Sequence, residues 1–132
     1  MSRRIVLYVE DDDAAYLLFQ IVAEEAYSDI EVHRACDGEQ ALTFLEKSGA
    51  YRDAPQPDLI LLDLNLPKRS GFEVLSEIKA SPLLSSIPVI IFSCSSSPAD
   101  KSRSLTLGAE DFVRKPSSLD LFVEALKSAL RE

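Results

Sequence analysis

Pro57-Asp58-Leu59-Ile60-Leu61-Leu62-Asp63-Leu64-Asn65-Leu66-Pro67 is the stretch from which the fold is read. Four consecutive apolar residues, Leu59 to Leu62, describe a strand buried on both faces, and that strand ends on a carboxylate, Asp63. A turn follows, then a helix start at Ser70-Gly71-Phe72-Glu73, where Ser70 as N-cap and Glu73 three residues on form a capping box. In an open α/β sheet, ligands bind in the crevice outside the carboxyl ends of the strands. Asp63 is therefore taken as the functional centre, and the rest of the chain tests that reading.

Upstream, Ile5-Val6-Leu7-Tyr8-Val9 reads as a buried strand opening into the acidic loop Glu10-Asp11-Asp12-Asp13. Asp12 or Asp13 can cap the next helix. Its Ala15, Leu18, Phe19, Val22, Ala23 and Ala26 follow the spacing of one buried face, and it is expected to end near Tyr27-Ser28. Ile30 to Ala35 alternates, as an edge strand with a half-solvated face does. Asp37-Gly38 turns the chain into a second helix carrying Ala41, Leu42 and Leu45, which Ser48-Gly49 stops; Ala50 to Pro57 is a surface loop.

Downstream of Asp63, the third helix is expected to bury Phe72, Leu75 and Ile78 and to end at Ser81-Pro82. Ile87 to Phe92 is another strongly apolar strand, followed by the small polar run Ser93 to Ser97. The helix over Pro98 to Leu107 is the weakest, anchored by Ala99, Leu105 and Leu107 among serines, and low burial is where switching elements come from. Gly108 stops it, and Asp111 to Arg114 is a short strand closed by Lys115-Pro116. The last helix, Ser117 to Leu130, turns Leu119, Phe122, Val123, Leu126 and Leu130 to the core.

Strand and helix alternate five times, which predicts a doubly wound α/β domain: a parallel sheet covered on both sides, with right-handed crossovers. The 132 residues give room for one core, so one domain over residues 1–132 with no output domain is expected. A net charge of −8 argues against a nucleic-acid backbone or an anionic membrane surface as partner and suits a cation or a cationic protein patch. No apolar run approaches the roughly 18 residues of a membrane span, and Met1-Ser2-Arg3-Arg4 is too short for a signal peptide. Cys36 and Cys94 have no metal or redox spacing and read as free thiols of a cytoplasmic protein.

Polar groups finish four of the five strands: Glu10 and Asp11, Asp63, Ser93, and Lys115. In a doubly wound sheet these ends share one crevice. Clustered carboxylates repel by about 4 kcal/mol per pair at 4 Å and an effective dielectric near 20. Unless the protein raises the pKa of one of them, a hard divalent cation is the natural remedy, and Mg2+ takes one or two carboxylates, waters and a phosphate oxygen. With a lysine and a hydroxyl added, the set reads as a site for phosphoryl transfer onto a carboxylate. No histidine or cysteine is placed to be the nucleophile.

Val9-Glu10-Asp11-Asp12, Leu61 to Pro67, Gly71-Phe72-Glu73-Val74-Leu75, Ile87 to Ser93 and Phe112-Val113-Arg114-Lys115-Pro116 together resemble a two-component response regulator receiver domain, in order and over essentially the whole chain. The strand order 2-1-3-4-5 of a flavodoxin-like sheet comes with the resemblance, this family being a standard illustration of the switch-point rule. The Leu-Asp-Leu-Asn-Leu-Pro phrasing and absent output domain look like the stand-alone regulators that partner phytochrome-type histidine kinases.

The resemblance implies roles. Asp63 would accept the phosphoryl group from a partner sensor histidine kinase. Asp11 would bind Mg2+ directly, Glu10 through a water, and the Asn65 carbonyl would add a ligand. Lys115 would contact a phosphoryl oxygen, with its bond to Pro116 often cis. Ser93 would turn toward the phosphoryl group, and Phe112 would follow as an aromatic switch on the face of the last strand and helix. That face, with the fourth helix, would then alter protein contacts with a downstream target. Phe112 lacks the hydroxyl a tyrosine would bring, so packing alone would serve it. Cys94, beside Ser93, fits by size and reads as inert.

Plainer readings exist for each group. The acidic loop can simply cap a helix, and Asp12 and Asp13 are best explained that way. Lys115-Pro116 can be a basic residue before a turn, Ser93 an ordinary loop serine, and His33 a solvated histidine on an edge strand. Leu121 and Ala125, off the main stripe of the last helix, are either ordinary surface or a homodimer seam, the seam being preferred for a receiver that must signal through a protein surface. Among other functions, a haloacid-dehalogenase-like phosphatase wants a second acid two residues after the nucleophile, where this chain has Asn65. A flavin binder wants a glycine- and hydroxyl-rich loop after the first strand, where this chain has four acids. A receiver-like scaffold that is never phosphorylated would not need the intact acidic set. The chain is expected to be no enzyme beyond self-directed phosphoryl transfer and autodephosphorylation.

Overall fold

The computed structural model describes residues 4–26 and 29–131. Strands β1 (Arg4–Val9), β2 (Ile30–Ala35), β3 (Leu59–Leu62), β4 (Val89–Ser93) and β5 (Asp111–Arg114) alternate with helices α1 (Asp13–Ala26), α2 (Gly38–Glu46), α3 (Gly71–Ala80), α4 (Pro98–Thr106) and α5 (Leu119–Arg131). The strands are all parallel, in the order β2-β1-β3-β4-β5, so the expected flavodoxin-like sheet is the one that forms. The order reverses direction between β1 and β3, and the crevice opens there.

Two apolar layers cover the sheet. On one face Leu7, Val9, Ile60, Leu62 and Ile91 pack against Ala41, Leu42, Leu45, Val74, Leu75 and Ile78 of α2 and α3. On the other, Val6, Tyr8, Leu61, Ile90 and Phe92 pack against Phe19 and Val22 of α1 and Leu126, Ala129 and Leu130 of α5. Every residue of β3 and β4 is buried, as runs without alternation require, while β2 at the edge is half-buried for most of its length.

Several local expectations need correcting. The end of α1 at Tyr27-Ser28 and the side chain of Ala26 lie outside the described residues. Helix α2 stops at Glu46, with Lys47 left-handed at φ 56° and its N–H and that of Ser48 taking the last carbonyls, so the terminator is Lys47 and not Ser48-Gly49. Part of the following loop is a single 3-10 turn, Gly49–Tyr51. In α3, Val74 is buried and Phe72 only half-buried, because Phe72 leans outward under the guanidinium of Arg103, 4.1 Å from its ring centroid. In α4, Ala99 and Leu105 are exposed, and Ser104 is the buried residue. In α5, Leu119 is exposed and Ala125 packs against the core, which leaves Leu121 alone of the two suggested seam residues on the surface.

Candidate functional site

Parallel pairing of β1 with β3 sets Val9 opposite Leu62, so the next residues, Glu10 and Asp63, leave the sheet side by side. Asp63 N–H donates to the Val9 carbonyl at 3.2 Å, which ties the two strand ends together. Across the crevice, Lys115 N–H donates to the Ser93 carbonyl at 2.7 Å, carrying the lysine past the end of β4. Its ammonium turns back and donates to Glu10 Oε2 at 2.9 Å and to Asp63 Oδ2 at 3.0 Å. Asn65 N–H donates to the other oxygen, Asp63 Oδ1, at 3.2 Å.

The three side chains are almost out of solvent: Glu10 is 2% exposed, Asp63 7% and Lys115 7%. Burial works against the Lys115 charge, but Asp63 and Glu10 outweigh it and hold the ammonium above its ordinary value. Burial, with the neighbouring Asp63 carboxylate, pushes Glu10 up to about 8 against the pull of Lys115. With both acids ionised, one ammonium would leave the cluster short of positive charge, which, with burial, is why Glu10 holds its proton more tightly. Asp11, exposed beside them, completes a set whose oxygens lie within 4.8 Å of one another. An all-oxygen group of three carboxylates, two of them buried, matches the donor chemistry of a hard divalent cation.

The remaining predicted residues are placed less uniformly. Ser93 ends β4 fully buried, and its Oγ accepts from Ser95 N–H at 3.2 Å. Asn65 is exposed on the lip of the crevice. Phe112 is half-buried and packs on the α2–α3 side of the sheet, not with α5 as expected, because β5 turns it toward the hollow beside α4. That hollow, about 320 Å3, is lined by Ser95, Ser96, Ser97, Pro98, Lys101, Phe112 and Arg114. No cis peptide bond occurs among the described residues, so the Lys115–Pro116 bond is trans, against the expectation. His33 is paired with Glu31 at 2.7 Å and lies 5.4 Å from the Phe44 ring, so it is not simply solvated. Cys94 is exposed and Cys36 half-buried, both as free thiols.

Two participants were missed. Gly71 lets the first turn of α3 lie against the backbone of Asp63. Arg34 reaches from β2 to the acidic loop, its Nε–H donating to the Glu10 carbonyl at 3.0 Å and its Nη1–H to Asp13 Oδ1 at 2.8 Å. The only signal for Arg34 was its place at the end of the strand next to β1, one residue before Ala35.

Buried acids and a lysine thus meet at the carboxyl edge of a parallel 2-1-3-4-5 sheet, at the switch point where open α/β sheets bind their ligands. The model of the response regulator receiver domain matches residues 6–127, and the chain belongs to that family. It is 42% identical over 120 residues to response regulator Rcp1 of Synechocystis sp., a match covering 90% of this chain and 82% of that protein. Its fold is similar to that of the Mn2+-bound form of Rcp1, with a TM-score of 0.91, 38% identity and coverage of 95% of this chain and 90% of the other. It is equally similar to the phosphorylated cyanobacterial phytochrome response regulator RcpA, with a TM-score of 0.92, 37% identity and coverage of 96% and 91%. The chain is thus a receiver domain of a two-component response regulator, a class of signalling proteins that accept phosphate from histidine kinases. Among the described residues no helix is long and apolar enough to cross a membrane.

Proposed function

We propose that this receiver is a Mg2+-dependent phosphorylation switch in which Asp63 is the acceptor and a phytochrome-type histidine kinase the donor. The observation that carries the reading is the double hold on the Asp63 carboxylate, Lys115 on Oδ2 and the Asn65 N–H on Oδ1, beside two further acids at the switch point. A carboxylate oxygen of Asp63 attacks the phosphorus of a phosphohistidine. The new phosphorus–oxygen bond forms as the phosphorus–nitrogen bond breaks, and the electron pair returns to the departing imidazole nitrogen. Lys115 is already within reach of one Asp63 oxygen and neutralises charge that builds on the phosphoryl group.

Glu10, Asp11, Asp63 and the Asn65 carbonyl would hold the cation, which supplies positive charge to the carboxylate and phosphoryl oxygens when bound. Support for the kinase type is the likeness to Rcp1 and to the phytochrome regulator RcpA. Phosphorylation adds about 1.5 to 2 negative charges and three acceptor oxygens. Ser93 answers that charge, and the response passes to the hollow at Phe112 and to α4, which has little apolar burial to hold it in one place. The face formed by α4, β5 and α5 is then the surface on which partners read the state.

The test is incubation with Mg2+ and acetyl phosphate, read by intact mass. The parent is expected to gain one phosphoryl group, and Asp63→Asn none. An Asp63→Asn chain that gains the same mass would remove Asp63 from the role.

A further inference from the structure

We propose that Arg34 is a positioning residue for the acidic loop, holding the peptide group from which both Glu10 and Asp11 project. This rests on the reading of the crevice as a cation site and deepens it. Arg34 stands on β2 in register with Tyr8, outside the crevice, yet its planar guanidinium grips the loop at two points: the Glu10 carbonyl at 3.0 Å and Asp13 Oδ1 at 2.8 Å. The first contact is the informative one. The Glu10 carbonyl belongs to the peptide plane shared with the Asp11 N–H, so fixing that oxygen fixes the starting direction of two of the three carboxylates.

The rest of the surroundings show a group held for geometry. The guanidinium carbon lies 5.1 Å from the Tyr16 ring centroid, which orients the plane. Only 19% of the side chain is exposed, and Nη2 is buried with no hydrogen-bond partner among the described residues. A surface arginine retained for solubility would leave that nitrogen in water.

Charge and geometry predict opposite outcomes. A positive side chain beside three acids repels an incoming cation, so if Arg34 acted through its charge, removing it would tighten metal binding. If it acts by orienting the ligands, removing it weakens binding, as loss of a group that orients metal ligands does.

The experiment is Mn2+ titration of the folded chain, with free Mn2+ read by electron paramagnetic resonance. Arg34→Met is expected to bind about tenfold more weakly than the parent. Arg34→Lys keeps the charge but lacks the planar fork, and is expected to bind several-fold more weakly. Lys79→Met, which removes a lysine bracing the Ser85 and Ile87 carbonyls away from the acidic loop, serves as the structural control and is expected to leave Mn2+ affinity unchanged. Parental or tighter affinity in Arg34→Met overturns the proposal, and parental affinity in Arg34→Lys does so even where Arg34→Met does not fold. A parent that binds no Mn2+ overturns the cation-site reading together with this proposal, whereas a parent that binds beside unaffected Arg34 variants overturns this one alone.

Discussion

At Gly71 an added Cβ would lie 2.3 Å from the carbonyl oxygen of Asp63 and 2.7 Å from the Cα of Leu64. The N–H of Gly71 meanwhile donates to the Leu64 carbonyl at 2.9 Å, so helix and strand end are held face to face with no room between them. Neither backbone atom can swing aside as a flexible side chain would. Gly71→Ala is therefore expected to destabilise the fold by about 1–3 kcal/mol, as overpacking does, and to slow phosphorylation by moving Asp63. Urea denaturation checks the first part, and an unchanged midpoint would show that the contact yields. None of this was readable from the sequence, where Gly71 was one letter of a helix start. Close approach is a property of two segments, and only one of them is local.

Helix α4 shows the same limit at the next scale. Its composition announced a weak element, and its only buried residue is a serine. Leu107 does pack against the core, but Ala99 and Leu105 are exposed and the buried position is Ser104, because periodicity counts apolar residues and cannot register a small polar one that satisfies itself. Ser104 Oγ donates to the Asp100 carbonyl at 2.8 Å, one turn back, and so can be buried without a partner from the sheet. Asp100 in turn accepts from Ser95 Oγ at 2.6 Å through its side chain, and Ser95 N–H donates to Ser93 Oγ. A polar chain thus runs from the end of β4 into α4, where α3 has Val74, Leu75 and Ile78 in the core. Amides of α4 are expected to exchange with deuterium markedly faster than those of α3 by local opening. Beryllofluoride with Mg2+ should change the exchange of α4 more than that of α3. Equal protection of the two helices would contradict the loose attachment.

For the molecule as a whole, alternation of apolar runs with helical faces was enough to predict the doubly wound sheet, because burial on both faces leaves a plain mark on β3 and β4. The convergence of Glu10, Asp63 and Lys115 followed from knowing that parallel strand ends share an edge. The reach of Arg34 depends on side-chain conformation, which no spacing encodes, whereas Phe112 and Val113 take opposite faces by strand alternation, whose phase a four-residue strand with no polar alternation does not reveal. Linkage gives a global test of the acidic set: Mg2+ at a hundred times its dissociation constant should stabilise the fold by about 2.7 kcal/mol. Removal by chelation should reverse the gain in a thermal melt, and a melt indifferent to Mg2+ would argue against binding to the native state.

The ammonium of Lys115, between Glu10 and Asp63, has one more consequence. It is a cation tethered to the chain, present at a fixed effective concentration that dilution and chelators do not touch. Any affinity of the site for a divalent ion would therefore be a net quantity, reduced by an internal competitor. Lys115→Met should be less stable without metal by on the order of 3 kcal/mol, as for a broken buried pair, read by urea denaturation, and yet bind Mg2+ more tightly than the parent in a calorimetric titration. The protein carries its own counterion within the acidic cluster.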